Sequence, residues 1–389
     1  ELGLNIPTAA FGYDPTSSKE YTFPDEFLNY VLRPVQNYTE SHPELKITHI
    51  AVAKWVPAKV ILSQAKNDAD SPNHDAGTVS ASALLELNAD WKNITGINGW
   101  GNDGSGISIA GGYHNNLSHF EPAPISAGKT GFDYRYAVSY LTGYTVTDIE
   151  RMIDRATGQA PDISKVQWLL DRDEDGFSVG EGLLSATQAS ILQSGVANGN
   201  ILTERTNSAH ISYPDKSLVA YAGPGTHHAG YNGGWVASDP AVVAPVSGRA
   251  IMTSIESFNA RSFHGDGGSN GPSPASQYQG LIIDAFTQGA FGGSGYSGSF
   301  SGAVGNVAEP GFPAVLPQKL FWAYASGLTF GESFLSAKDN ISVYNKSIAV
   351  GDPLMRISDS QSPLKANGFE CLTGSECISG NCGTDNAGK

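Results

Sequence analysis

SLVAYAGPGT (217–226) and RAIMTSIESFNARSF (249–263) decide how this chain is read. Each has a mainly apolar run near its start, Leu218–Ala222 in the first and Ala250–Met252, after Arg249, in the second. The first then breaks at Gly-Pro-Gly and the second at a Ser/Asn-rich exit. Both runs read as strands. Outward from them, ITHIAVAKW (47–55), YAVSYL (136–141), VQWLL (166–170), 302–308 and 347–350 read as further strands. Helices are expected over 147–156, 183–192, 277–286 and 317–325. The first begins Thr-Asp-Ile-Glu, which predicts a capping box between Thr147 and Glu150, and it sets Ile149, Met152, Ile153 and Ala156 on one face. Strand–helix alternation predicts an α/β fold, a mainly parallel sheet with helices on both faces and long irregular surface loops. Residues 70–119, rich in Asn, Gly and Asp, read as a long loop insertion.

The 389 residues carry 23 Lys plus Arg against 38 Asp plus Glu, a formal charge of −15. So acidic a chain without basic clusters argues against a nucleic-acid partner. No apolar run is long enough to span a bilayer. Glu1 in place of Met is what a processed chain would show. All three cysteines, Cys371, Cys377 and Cys382, fall in GFECLTGSECISGNCG (368–383), and none precedes them. That usage fits an exported protein, and 358–389 reads as a linker followed by a truncated disulfide module. With no His beside the thiols, zinc is disfavoured. Sequons at Asn37, Asn93, Asn116, Asn340 and Asn345 fit an extracellular glycoprotein.

YAGPGT (221–226), the 249–263 strand with its Ser-rich exit, GAVGNVAEP (302–310) and SIAVGDPLMRI (347–357) occur in an order similar to the gingipain-like caspase–haemoglobinase fold. They resemble most a secreted bacterial branch without assigned activity. HIAVAKWVPAKVI (49–61) and SASALLEL (80–87) look like that branch's earlier strand and helix. The resemblance implies one gingipain-like α/β domain over 1–357, with its first strand–helix unit missing before Glu1. Active relatives use a Cys–His dyad at the ends of adjacent strands. Carried over residue by residue, the His position falls on Pro224 and the Cys position falls near Ser254–Ser257. Neither retains the dyad chemistry, so the resemblance implies a scaffold kept and a peptidase activity lost.

The expectation is an exported, non-catalytic surface, matrix or filament component, binding other extracellular proteins or itself. Two alternatives stay open. His227 or His228 could serve as base for Ser254 or Ser257 in a replacement hydrolase. A glycan-binding module is suggested by aromatic and Asn/Asp residues in 98–103 and 231–235. His264-Gly-Asp-Gly-Gly reads as a turn. Asp171-Arg-Asp173-Glu-Asp175-Gly matches the first half of a calcium loop, with Glu181 one residue early for the bidentate position. The Gly/Ser/aromatic stretch 290–305 lacks a phosphate-loop lysine. It reads as a surface loop offering Tyr296 and Phe300 to a partner.

Overall fold

The two quoted segments form neighbouring parallel strands, Ala220 opposite Ile251 and Gly223 opposite Ser254. The structure is a computed structural model describing residues 21–22, 24–61, 78–87, 136–172, 178–204, 216–223, 225, 245–263, 280–308, 315–338 and 346–359. Its first half comprises β1 (Tyr21–Thr22), α1 (Pro24–Phe27), a π turn (Leu28–Leu32), α2 (Arg33–Ser41), β2 (His49–Ala53), β3 (Lys59–Ile61), β4 (Thr78–Ser80), α3 (Ala81–Leu87), β5 (Ala137–Leu141) and α4 (Val146–Thr157). The second comprises β6 (Val166–Asp171), α5 (Ser178–Gln193), β7 (Ile201–Glu204), β8 (Ser217–Gly223), β9 (Val246–Ser254), β10 (Gly302–Asn306), α6 (Pro317–Ala325), α7 (Phe330–Ser336) and β11 (Ser347–Gly351).

Eight strands make one sheet in the order β2-β5-β11-β10-β9-β8-β6-β7, and β1-β3-β4 make a small second one. Every neighbour pairing in the large sheet is parallel except β10–β11. The sheet is therefore two parallel blocks of opposite direction, β2-β5-β11 and β10-β9-β8-β6-β7. Alternate residues feed two cores. Leu169, Met252, Ala303 and Ile348 face the side covered by the π turn, α3 and α4, packing with Leu28, Leu84 and Met152. Trp168, Ile251, Val304 and Ala349 face the side covered by α5, α6 and α7, packing with Leu184, Phe321 and Phe334. Strands apolar on both faces are the result of this double cover. Among the described residues no helix is long and apolar enough to cross a membrane.

Several expectations shift. The capping box of α4 lies two residues earlier than read: Thr145 is the N-cap, its hydroxyl accepts from the Asp148 N–H, and the Asp148 carboxylate accepts from the Thr145 N–H. Thr145 has the extended backbone a cap needs, while Thr147 is already helical. The helix expected over 277–286 is a short 3-10 turn, Ile282–Phe286. Within the stretch read as a loop over 70–119, β4 and α3 are formed. The 290–305 segment is only partly at the surface: Ser294, Gly295 and Ser297 are exposed and Tyr296 is half-buried, but its phenylalanines are core. Phe291 and Phe300 are fully buried with ring centroids 5.0 Å apart, and the Tyr296 hydroxyl donates to Asp148 Oδ1 at 2.9 Å.

Ordinary strand geometry breaks in β9, where Arg249 has φ +61° and the register against β8 shifts between Leu218 and Ala220; the β6–β8 register shifts too, between Gln167 and Trp168. Side chains hold the irregularity in β9. Arg155 Nη2 donates to the Val246 and Ser247 carbonyls at 2.7 and 2.9 Å, and Arg249 itself donates to the Gly158 and Arg356 carbonyls. The Tyr324 hydroxyl donates to the Arg249 carbonyl at 2.7 Å.

His49 links β2 to the start of α7. With the proton on Nδ1, the ring donates to Thr48 Oγ1 at 2.8 Å and accepts at Nε2 from the Thr329 hydroxyl at 3.0 Å. Burial holds this imidazole below its ordinary pKa. Glu332 and Asp352 pull upward and Arg356 pulls downward. A pKa lower folded than unfolded means the stability contribution is present above the unfolded value of 6.5 and lost as pH falls through the folded one. His49→Gln should flatten the acid-side loss of stability, read from urea midpoints across about pH 7.5 to 5. Phe300→Ala should cost about 3–5 kcal/mol in the same assay; a loss under about 1 kcal/mol would return this ring to the surface.

Candidate functional site

In open α/β sheets, ligands meet the carboxyl ends of parallel strands. The two blocks present such ends at opposite edges, and the edge of the larger, five-strand block carries the ends of β6, β8, β9 and β10. β9 ends at Ser254, and the Ile255 N–H donates to the Gly223 carbonyl at 2.9 Å, holding the exits of β8 and β9 together. Ser254 is buried, and its Oγ accepts from Asn259 Nδ2 at 2.8 Å. Asn259 Oδ1 accepts from the Asn306 N–H at 2.6 Å, Asn306 Nδ2 donates to the Glu256 carbonyl at 2.9 Å, and the Ser347 hydroxyl donates to Asn306 Oδ1 at 2.9 Å. This buried network ties the loop after β9 to β10 and to the first residue of β11. Buried amides satisfied at both ends fix one geometry, because any alternative leaves donors or acceptors without partners.

Asp171 and Glu256 are carboxylates at this edge. Asp171 ends β6 and accepts at Oδ2 from the buried Tyr221 hydroxyl of β8 at 2.9 Å. Glu256, 3% exposed, packs its side chain on Gly225. Gly225 has φ +83°, and a Cβ there would stand 2.6 Å from both Cδ and Oε2 of Glu256. Gly223 is as confined, since a Cβ would come within 2.5 Å of the Tyr221 hydroxyl. The two glycines of the Gly-Pro-Gly exit thus let a tyrosine and a glutamate close on the end of β8.

Of the residues singled out in the sequence, Ser254 and Ser257 are described. Ser254 lies inside the asparagine network and Ser257 is half-buried three residues further on. Pro224, His227, His228 and the 264–268 turn lie outside the described residues. The described histidines are His42 and His49, and neither is among the hydrogen-bond partners of Ser254. Of the calcium set, Asp171 is engaged with Tyr221, and Glu181 accepts from Arg172 Nε and Nη2 at 2.6 and 2.5 Å. An arginine therefore holds the Glu181 oxygen Oε2. Asp173, Asp175 and the three cysteines lie outside the described residues, as do four of the five sequons. Asn37 is exposed on α2. Among the described residues no group of three or more His, Cys, Asp or Glu is placed to hold a metal.

Glu256, Asn259, Asn306 and Tyr221 escaped the sequence reading. The one available signal was Gly225, whose glycine and flanking proline hint at a crowded turn without naming its neighbour. Comparison with family models, curated proteins and solved structures finds no match for this chain.

Gly225→Ala should destabilise by about 2–4 kcal/mol through the positive φ and the overlap with Glu256. Adding Glu256→Ala should return part of that loss in a double-mutant cycle. Strictly additive losses would mean that Glu256 does not press on this turn.

Proposed function

We propose that the chain is an exported, non-catalytic protein on a caspase-like α/β scaffold, acting as a cell-surface, matrix or filament component that binds other extracellular proteins or copies of itself. The observation that carries this reading is the state of Ser254. The resemblance puts the thiolate position of a gingipain-like peptidase near Ser254–Ser257, and Ser254 is buried and accepts from an asparagine amide nitrogen that cannot take a proton. A serine hydroxyl needs a neighbouring base to become a nucleophile near neutral pH. The sequence adds Pro224 at the position of the dyad histidine and no cysteine before Cys371. The α/β sheet with covered faces supports the scaffold assignment, and the charge of −15 suits a soluble extracellular surface.

A serine-directed fluorophosphonate probe and a peptide-library cleavage screen test the reading. Neither labelling nor turnover is expected. Labelling of Ser254 or Ser257 that disappears in His227→Ala or His228→Ala would make the protein a hydrolase instead. Calcium at Asp171, Asp173 and Asp175 belongs to the same proposal as a structural ion fixing the loop after β6, and rests on the spacing of those carboxylates. Millimolar calcium should raise the melting temperature of the native chain and leave Asp173→Asn/Asp175→Asn unmoved. Equal melting curves with calcium and with chelator would remove the ion from the proposal.

A further inference from the structure

Glu86 near the end of α3, beside the start of β5, and Lys338, two residues past α7, meet in the interior. Their side chains are 0% and 1% exposed. Lys338 Nζ is hydrogen-bonded to Glu86 Oε2 and stands 4.0 Å from the centroid of the Phe334 ring. Glu86 Oε1 is buried and makes no hydrogen bond among the described residues. Both backbones are pinned. The Glu86 carbonyl accepts from the Tyr136 N–H at 3.3 Å, and the Lys338 N–H donates to the Leu335 carbonyl at 3.2 Å. Both helices pack against β5 and β11.

As an ion pair this arrangement is poor. Two charges have left water, and one carboxylate oxygen lacks a donor among the described residues. Burial pushes Glu86 up and Lys338 down, each opposed by the other's charge and hydrogen bond. Burial thus favours the free amine beside the protonated acid, the two forms from which an amide is made. The contact is buried, and the effective concentration of one group at the other is that of a well-oriented intramolecular pair.

We propose that Glu86 and Lys338 are a modification site, condensing with each other to an intramolecular isopeptide bond. A proton passes from the ammonium to the carboxylate within the pair. The Nζ lone pair then adds to Cδ, the bond from Cδ to the protonated oxygen breaks, and that oxygen leaves as water with a second proton from Nζ. The product is one Cδ–Nζ amide and one water. No redox change occurs and no co-reactant is consumed. The two buried charges vanish and one neutral N–H and one carbonyl remain. The inference rests on the pair alone and is independent of the proposed function.

The test is mass spectrometry of the intact native chain, reduced and denatured, followed by peptide mapping. The wild-type chain should weigh one water less than its sequence, and its digest should contain a branched peptide joining the segments around Glu86 and Lys338. Lys338→Arg should restore the full sequence mass. A wild-type chain at full mass would overturn the proposal and leave a non-covalent pair. So would a missing water that persists in Lys338→Arg with no branched peptide, since cyclisation of Glu1 gives the same loss. If Lys338→Arg fails to fold, the wild-type digest alone decides.

Discussion

The antiparallel ladder between β10 and β11 is the constraint on which this architecture depends. Five residue pairs, Gly302 with Gly351 through Asn306 with Ser347, join two blocks of parallel strands that run in opposite directions. Both strands are buried along their whole length, so neither can slip by one residue without moving its apolar side chains to the wrong face. The reversal also arranges the polar chemistry. It brings the start of β11 beside the end of β10, and only then can the Ser347 hydroxyl reach Asn306 and complete the network that holds Ser254.

At the opposite edge the same ladder ends in a tight turn. Gly351 has φ +142°, with the Ser301 carbonyl 2.7 Å from where a Cβ would lie. The Gly-Asp-Pro-Leu run that carries part of the resemblance is structural at this point. The Asp352 carboxylate accepts from the Leu354 N–H, and the Pro353 and Met355 carbonyls accept from the first N–H groups of α7. Arg356 and Arg249 then fasten the following residues to the body of the domain through the Gly327 carbonyl and Asp359. A short motif shared in sequence can thus reflect shared turn chemistry, which is a reason to argue function from the strand ends and not from the motif.

Much of the scaffold was legible because apolar periodicity and punctuation agreed. Pro317 at the first helical position and Gly327 just past the end bound α6, and the apolar run from Leu218 to Ala222 reads as a strand. Strand direction was not legible, since SIAVG is buried on both faces and reads the same either way. Thr147–Glu150 matches the usual Thr-x-x-Glu capping box, but the extended backbone at Thr145 makes it the cap, with Asp148 in the place of the glutamate. Composition misled at 290–305, where glycine and serine obscured two core phenylalanines. At the candidate site, Glu256 in a Ser/Asn-rich exit looks like a solvated acid, and only its contact with Gly225 reveals burial. The Glu86–Lys338 contact spans 252 residues, a separation no local pattern reports.

The order of strands has a consequence for how the chain reaches this state. β2 and β5 come early in the sequence, and β6 to β10 follow, yet the two groups touch in the sheet only through β11. The last strand among the described residues therefore occupies an interior position, with a parallel partner on one side and an antiparallel partner on the other. During synthesis, β5 and β10 must each wait with one unpaired edge until residues 347–351 emerge. Closure then forms contacts of very long sequence separation in one late step. Such a protein should fold slowly, with exposed edges during the wait that invite mispairing between chains. A chain ending before β11 would hold two unconnected half-sheets.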